Sequence, residues 1–489
     1  MSHDLVLRGG RVVDPESGFD RVSDVGIDGD AVTAIGDHLD GATTVDVSGL
    51  VVAPGFIDLH SHAQTLPGRR LQVCDGVTTA LDLEAGRAPV ELAYAREAAR
   101  GSPINYGFSA SWAAARMHVL AEMPLDGGTA AIFGGLVGTE WQQAATAVQL
   151  TQIFDQISAD LADGAIGIGV LMGYTPGVDP AEYLALAELA ASAAVPTFTH
   201  SRDIVELAPE TLIDGAEEVV RAAGTTGAHM HYCHINSTSG RHIDRVLALV
   251  GRCQAEGSRI TTEAYPYGSG STAIGAAFLA PERLRERFRD TTSITYLRTG
   301  ERIADDERLR ELRSTDPGGL VIAEFLDDSE PSDAALLRRS LEFPDAIVAS
   351  DGMPPLWTDT TAMDIAAWPL PPEVVTHPRT AGTFGRALRL WRVEGAPLME
   401  ALRRATVLPA QVLEGAVPAM RRKGRLRAGM NADLVVFDHA RVTDQATYAA
   451  STRPSSGISH VLVNGTFVVR DGDLVRDARP GRPVRASPR

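Results

Sequence analysis

Residues 54–62 have the sequence Pro54-Gly55-Phe56-Ile57-Asp58-Leu59-His60-Ser61-His62. The apolar run from Val51 to Leu59 is typical of a buried parallel strand. Side chains alternate between the two faces of a strand, so His60 and His62 point the same way. Two imidazoles at the C-terminal end of a strand can bind one metal ion. The alternative is a pair of structural histidines, but a His-x-His directly after an apolar Pro-Gly strand is not a usual core pattern. The stretch therefore predicts a metal site.

Length, composition and charge limit the class of protein. The chain has 489 residues, which is too long for one ordinary domain and suggests several domains or a barrel with additions. Hydrophobic residues make up 44% and charged residues 22%, as in a globular protein. No apolar run approaches the roughly 18 to 20 residues that span a bilayer, and the N-terminus lacks a signal-peptide pattern. The net charge of -18 disfavours nucleic acid and anionic membranes as partners.

The cysteine and lysine counts indicate the cellular compartment and limit the possible mechanisms. The three cysteines are Cys74, Cys233 and Cys253, and so sparse and odd a count predicts a reducing compartment, which we take to be the cytoplasm. The chain has a single lysine, Lys423, close to its C-terminal end. A mechanism that needs a buried lysine in the middle of the chain is therefore excluded.

The pattern of apolar and polar residues divides the chain into two units. Residues 1–52 are predicted to form short strands with polar turns, and the same strand pattern returns within residues 405–489. Between them, residues 53–404 alternate short apolar runs with alanine-rich helical stretches, which predicts a parallel (β/α)8 barrel. We expect the two chain ends to pair into one small β-domain. A charge-rich segment near 281–340 is expected to be an insertion that covers the site.

Further candidate ligands follow other predicted strands of the barrel, where catalysis takes place on this fold. Glu84 shares a strand face with Asp82 and is nearer the strand end, so it is the preferred ligand, although a turn carboxylate in solvent is the simpler alternative. His200 ends the next candidate strand. His234 is chosen over His231 because it lies further along its strand.

The last member of the series is Asp351, which lies before a glycine at a strand end. An Asp-Gly pair alone is most often a β-turn, but here it completes a set of histidines and acids. Such a set suits Zn²⁺ and related divalent ions, which make hydroxide available near neutral pH and polarise a carbonyl. Asp351 suits the role of general acid/base, because the metal ligands must stay deprotonated.

These residues resemble the metal-dependent amidohydrolase superfamily and, within it, the N-acyl-D-amino-acid deacylases (D-aminoacylases). The resemblance covers nearly the whole chain. Its motifs are Pro54 to His62, Gly76-Val77-Thr78-Thr79, Thr199-His200-Ser201-Arg202, Cys233-His234-Ile235, Tyr265-Pro266-Tyr267 with Ser271-Thr272, Ser350-Asp351-Gly352-Met353-Pro354, His377-Pro378-Arg379 with Gly382-Thr383-Phe384, and Lys423-Gly424-Arg425 through Asp438.

The resemblance implies a barrel with a β-sandwich built from both chain ends. It also implies zinc at His200 and His234, a second metal position at His60 and His62, and Asp351 as the general acid/base. The residues that match Tyr265 and Ser271 help to hold the substrate carboxylate in the deacylases.

Two positions depart from the family pattern. The metal-bridging cysteine of the D-aminoacylases is replaced by Ala85, which leaves Glu84 as the bridge candidate. The family's lysine for the substrate carboxylate is Asn236 here, and Arg202 or Arg379 would supply a replacement guanidinium.

The leading hypothesis is hydrolysis of the amide bond of an N-acyl amino acid, D-configured ones included, with one or two divalent ions per chain. The alternatives are another small amide such as a cyclic amide or dipeptide, an ester, or deamination of a ring C=N. A scaffold without metal chemistry is disfavoured because such relatives lose ligands that this chain keeps. We expect a small-molecule partner; homo-oligomers are common on this scaffold, but the sequence carries no interface signal.

Overall fold

A computed structural model describes residues 2–204, 214–287 and 290–487, and its centre is a barrel of eight parallel strands. The strands in chain order are β6 (Phe56–Asp58), β7 (Val77–Arg87), β8 (Asn105–Ser111), β9 (Ile168–Leu171), β10 (Thr197–His200), β11 (Met230–Tyr232), β12 (Ile260–Ala264) and β17 (Ile347–Val348). Each pairs with the next in parallel register. The predicted (β/α)8 barrel is confirmed.

The barrel closes between its first and last strands. Ser350 donates from its backbone N to Asp58 Oδ1 (2.9 Å) and from Oγ to Asp58 Oδ2 (2.5 Å). Ser61 and Gly352 form a parallel bridge just beyond the strands. Closure therefore places the residues after β6 next to those after β17.

Helices surround the barrel and connect its strands. They are α1 (Leu66–Cys74), α2 (Val90–Arg100), α3 (Trp112–Ala121), α4 (Gly128–Gly135), α5 (Ala147–Ala162), α6 (Pro180–Ser192), α7 (Gly215–Thr226), α8 (Ile235–Ser239), α9 (Ile243–Ala255), α10 (Pro281–Arg287), α11 (Asp306–Thr315), α12 (Pro331–Glu342), α13 (Arg379–Glu394), α14 (Leu398–Ala405) and α15 (Val407–Leu413). Local sequence sets several of their starts. Thr146 and Gln149 form a capping box on α5, and the Asp179 side chain caps α6, which begins with Pro180.

Both chain ends contribute to a second, nine-stranded sheet. Its strands are β1 (Ser2–Asp14), β2 (Phe19–Asp28), β3 (Ala31–Gly36), β4 (Asp40–Asp46), β5 (Val51–Pro54), β20 (Leu434–Phe437), β21 (Ile458–Val463), β22 (Thr466–Arg470) and β23 (Asp473–Leu474). The ends meet where β5 pairs antiparallel with β20. Apolar side chains on one face of this sheet pack among its own strands, and those on the other face pack against the barrel helices. The expected pairing of the two chain ends is observed.

The boundaries 52/53 and 404/405 stay predictions, although two features lie close to them. Strand β5 runs across the first boundary. After the second, Leu408 and Leu413 of α15 are still part of the barrel core, and the sheet resumes only at Leu434.

An insertion between β12 and β17 covers the C-terminal end of the barrel. It contains a four-stranded sheet of β13 (Ser269–Ala273), β14 (Ile294–Tyr296), β15 (Glu301–Arg302) and β16 (Leu320–Glu324). The insertion predicted near 281–340 overlaps this segment, and its boundaries stay a prediction. Residues 288–289 lie outside the described part. A further pair, β18 (Leu356–Trp357) and β19 (Val374–Val375), follows β17. Among the described helices, none is long and apolar enough to cross a membrane.

Candidate metal centre and active site

The predicted ligands come together at the C-terminal ends of five barrel strands. His60 and His62 follow β6, Glu84 lies in β7, and His200 is the last residue of β10. His234 and Asp351 follow β11 and β17 with φ of 32° and 48°, which is left-handed backbone that side chains other than glycine rarely adopt. Such strain clusters at functional sites, where the surrounding structure holds it.

Glu84 connects the two histidine pairs. Its Oε2 lies 3.3 Å from His60 Nε2 and 3.4 Å from His62 Nε2. Its Oε1 lies 3.0 Å from His200 Nδ1 and 2.7 Å from His234 Nε2. The carboxylate therefore faces one pair with each oxygen, which is the arrangement of a bridging ligand between two ions.

The donor set fits a zinc-like cation. Four ligands at about 2.0–2.1 Å from one ion in a tetrahedron are separated from one another by about 3.4 Å. His60 Nε2 and His62 Nε2 are 3.1 Å apart, close to that separation, as are their distances to Glu84. The ligand atoms of Glu84, His200 and His234 also lie within 4.8 Å of one another.

Two further carboxylates hold the first histidine pair in the ligating tautomer. His60 donates from Nδ1 to Glu263 Oε1 (2.5 Å), and His62 donates from Nδ1 to Asp82 Oδ1 (3.1 Å). Each imidazole then presents the lone pair of Nε2 to the centre, as metal-binding histidines do. Glu263 also accepts from His231 Nε2 (3.0 Å), so His231, the weaker ligand candidate, orients this carboxylate.

The electrostatics of the site favour positive charge. Burial acts to lower the pKa of His60, but Glu84, Asp351 and Glu263 outweigh it and raise that pKa well above its usual value. For His62, burial likewise opposes Asp82, and the pKa rises to about 9. A bound divalent cation would take the place of the protons that these imidazoles otherwise carry.

Asp351 lies opposite Glu84 and is held by an arginine. Its Oδ2 pairs with Arg379 Nη2 at 2.9 Å, while its Oδ1 is 3.4 Å from His60 Nε2. Arg379 is fully buried at the start of α13, where its backbone N donates to His377 Nδ1 (3.1 Å). Burial is the main cause that lowers the pKa of His377 well below its usual value, so this ring is neutral and can accept.

A cavity of about 540 Å³, counting its open mouth, reaches the centre. Its polar lining includes Tyr265 and Ser271, two of the predicted substrate-binding residues. Its apolar lining, which the sequence did not predict, consists of Phe133, Tyr174, Phe278, Ala323, Phe325 and Met353.

Arg379 is not part of the cavity wall but lies directly behind it. Its Nη1 and Nε have no hydrogen-bond partner among the described residues. A Cβ on Gly270, which lines the cavity, would lie 3.5 Å from Arg379 Nη1 and 3.1 Å from the Tyr265 hydroxyl. Because residue 270 is glycine, no side chain at this position separates the cavity from the phenol and the guanidinium behind it.

Two expected substrate-binding residues lie elsewhere. Arg202 donates to Glu218 Oε2 (2.8 Å) and to the backbone oxygens of residues 175, 176 and 178, so it braces a loop instead of facing the cavity. Asn236 donates to the backbone oxygen of Tyr265 (3.2 Å) and is also absent from the cavity wall that the structure describes. Asn236 Oδ1 has no hydrogen-bond partner among the described residues. Neither residue lines the described cavity, and their assignment to substrate binding stays a prediction.

Glu263 is the functional residue that the sequence analysis missed. It carries a buried carboxylate within the short strand β12, beside Ala264. A charged residue inside a barrel strand is a usable signal, because a carboxylate is almost never fully buried unless it is paired.

Comparison with known proteins agrees with the fold and the site. A model of the amidohydrolase family matches residues 334–469. The N-acyl-D-glutamate deacylase of Alcaligenes xylosoxydans xylosoxydans is 30% identical over 99% of this chain and 96% of its own length. The D-aminoacylase of the same organism is 30% identical over 95% and 94%. The structure of the Bordetella bronchiseptica N-acyl-D-glutamate deacylase, complexed with zinc and a phosphonate inhibitor, is 26% identical over 99% of this chain and 100% of that chain, with a TM-score of 0.77.

Ligands at the strand ends of a parallel barrel, with a β-domain from both chain ends, define the class as amidohydrolase. The chain belongs to the N-acyl-D-amino-acid deacylase family within that class.

Proposed function

We propose that this protein hydrolyses the amide bond of N-acyl-D-amino acids, using one or two zinc ions held by His60, His62, Glu84, His200 and His234. The observation that carries the proposal is the position of Glu84, whose two oxygens face two separate histidine pairs. The D-configuration is supported by the two relatives, an N-acyl-D-glutamate deacylase and a D-aminoacylase, which align with nearly the whole chain.

The residues around the centre suit amide hydrolysis. When bound, a zinc ion would lower the pKa of a water molecule and polarise the amide carbonyl. Asp351 Oδ1 faces the histidines and can take a proton from the attacking water and deliver it to the leaving nitrogen. Arg379 holds the other oxygen, Oδ2, and so fixes the direction in which Oδ1 points.

The substrate carboxylate is proposed to bind in a recess formed by Ser271, Tyr265 and Arg379. Ser271 Oγ is buried without a hydrogen-bond partner among the described residues, as are Nη1 and Nε of Arg379. The Arg379 guanidinium also lies over the Tyr265 ring at 4.6 Å, which fixes both groups. This guanidinium replaces the family's lysine at Asn236, and a recess for a carboxylate disfavours cyclic amides that lack one.

We further propose that the enzyme works in the cytoplasm, because its cysteines are free in the structure. Its partner is a small amide, and assembly into homo-oligomers stays a prediction.

The experiment that tests the function is elemental analysis of the purified protein followed by a screen of N-acetyl and N-formyl L- and D-amino acids for amine release. Zinc at one or two per chain with turnover of D-substrates supports the proposal. Bound metal without such turnover would leave the hydrolase assignment standing and rule out N-acyl-D-amino acids as substrates. Ammonia release from a ring substrate would replace the proposed amide hydrolysis with deamination.

A further inference from the structure

We propose that an aromatic wall of Tyr174 and Phe278 receives the side chain of the substrate and selects apolar side chains over acidic ones. The inference rests on the proposed function and concerns the part of the substrate in which the relatives differ. One relative is named for glutamate derivatives and the other is a D-aminoacylase, and overall identity does not separate the two, since this chain is 30% identical to each.

The position of the carboxylate recess determines where the side chain must lie. The α-carbon of an amino acid carries both groups, so the side-chain site has to adjoin the recess. Ser271 of the recess is followed by Thr272, whose Oγ1 lies 2.9 Å from the hydroxyl oxygen of Tyr174. Tyr174 in turn packs on Phe278 with ring centroids 5.2 Å apart. The wall therefore adjoins the recess.

The wall also borders the metal centre. The ring of Phe278 stacks on His200 at 5.9 Å with an interplanar angle of 16°, and the Tyr174 ring lies 4.7 Å from His200. A side chain placed here stays beside the reacting amide, as the geometry of an N-acyl amino acid requires.

The described lining favours an apolar side chain over a second carboxylate. Of the described residues that line the cavity, none is lysine or arginine. Phe325 and Ala323 of the insertion add further apolar surface. An acidic side chain would lose its hydration against the ring faces, and none of the described lining residues would offer it a lysine or arginine.

The test compares kcat/KM of the metal-loaded enzyme for N-acetyl-D-leucine, N-acetyl-D-glutamine and N-acetyl-D-glutamate. The acyl group is constant, and glutamine matches glutamate in shape without its charge. We expect leucine to exceed glutamate by at least about 100-fold, with glutamine between them. Glutamate turnover equal to or above that of leucine would overturn the inference and leave the proposed function standing. Absence of turnover for all D-substrates would overturn both.

Two variants test the wall itself. Phe278→Arg places a guanidinium at the wall and should lower the leucine-to-glutamate ratio at least about tenfold, whereas the control Phe278→Leu should keep it in favour of leucine. If Phe278→Arg loses metal, Ala323→Arg takes its place in the test, because it adds a cation without removing an aromatic ring. A ratio unchanged in an arginine variant that retains its metal content would show that the side chain binds elsewhere, which overturns the inference.

Discussion

Glu84 takes the position at which one side chain contacts both histidine pairs, since its neighbours on the two sides come from β6, β10 and β11. We expect Glu84→Ala to reduce the metal bound per chain, because each ion loses a ligand and the two positions lose their shared anion. Elemental analysis after dialysis measures the change, with Glu84→Gln as the variant of matched size. The same stoichiometry in wild type and Glu84→Ala would show that Glu84 is not a bridge.

Asp351 differs from the ligands in that one of its oxygens is held by Arg379 and not by a histidine. Asp351→Asn should lower kcat by about 100- to 10,000-fold while metal content stays the same, because proton transfer is lost and the histidines remain. Steady-state kinetics and elemental analysis on the same preparation give both quantities. Unchanged activity would remove Asp351 from the mechanism.

Glu263 contacts the metal centre through His60, so we expect its substitution to change the affinity for metal. Glu263→Gln replaces an acceptor of the His60 Nδ1–H and should weaken metal binding about 10- to 100-fold. Competition with a chelator measures the affinity, and Glu263→Asp tests whether a carboxylate alone restores it. Wild-type affinity in Glu263→Gln would mean that the tautomer of His60 is set by other contacts.

At the scale of elements, Arg202, two residues after β10, forms a buried ion pair with Glu218 of α7. Arg202 and Glu218 are about 2% and 5% exposed, and they meet at 2.8 Å. Arg202→Met should therefore lower the free energy of unfolding by about 3–5 kcal/mol, because a buried carboxylate loses its partner. Urea denaturation measures this, and the double variant with Glu218→Gln should recover part of the loss. Unchanged stability with a raised KM would return Arg202 to substrate binding.

Functional residues of a barrel follow the C-terminal ends of its strands, and this rule explains which parts of the site the sequence could predict. His60, His62, His200 and Asp351 each follow a recognisable apolar run, and all parallel strand ends of a barrel converge on one face. The rule does not tell which basic residue faces the cavity, since Arg202 and Arg379 differ only in the long-range partners that folding brings to them. It also does not reveal Glu263, whose contact with His60 joins residues 203 positions apart. The aromatic wall could not be predicted for the same reason, because Phe278 reaches the site through the insertion.

At the scale of the whole molecule, the carboxylate of Asp433, next to the terminal sheet, contacts both barrel strand β8 and the single lysine of the chain. Lys423 Nζ donates to Asp433 Oδ2 (2.6 Å), and Asn105 at the start of β8 donates to the same oxygen (3.2 Å). Asn464 completes the network by donating from its backbone N to Asp433 Oδ1 (2.7 Å) and from Nδ2 to Asn105 Oδ1 (2.9 Å). All four side chains are buried, so these donors take the place of water around the Asp433 carboxylate.

Lys423→Met should lower the free energy of unfolding by about 3–5 kcal/mol, because it leaves the Asp433 carboxylate buried without a cation. Lys423→Arg keeps the charge and should recover part of that energy, although its planar fork fits a single oxygen less well. Urea unfolding followed by fluorescence measures both variants, with metal content as the check on the distant active site. A separate early transition in Lys423→Met would show that the network also couples the terminal sheet to the barrel during unfolding, whereas wild-type stability would show that the buried carboxylate does not need the lysine.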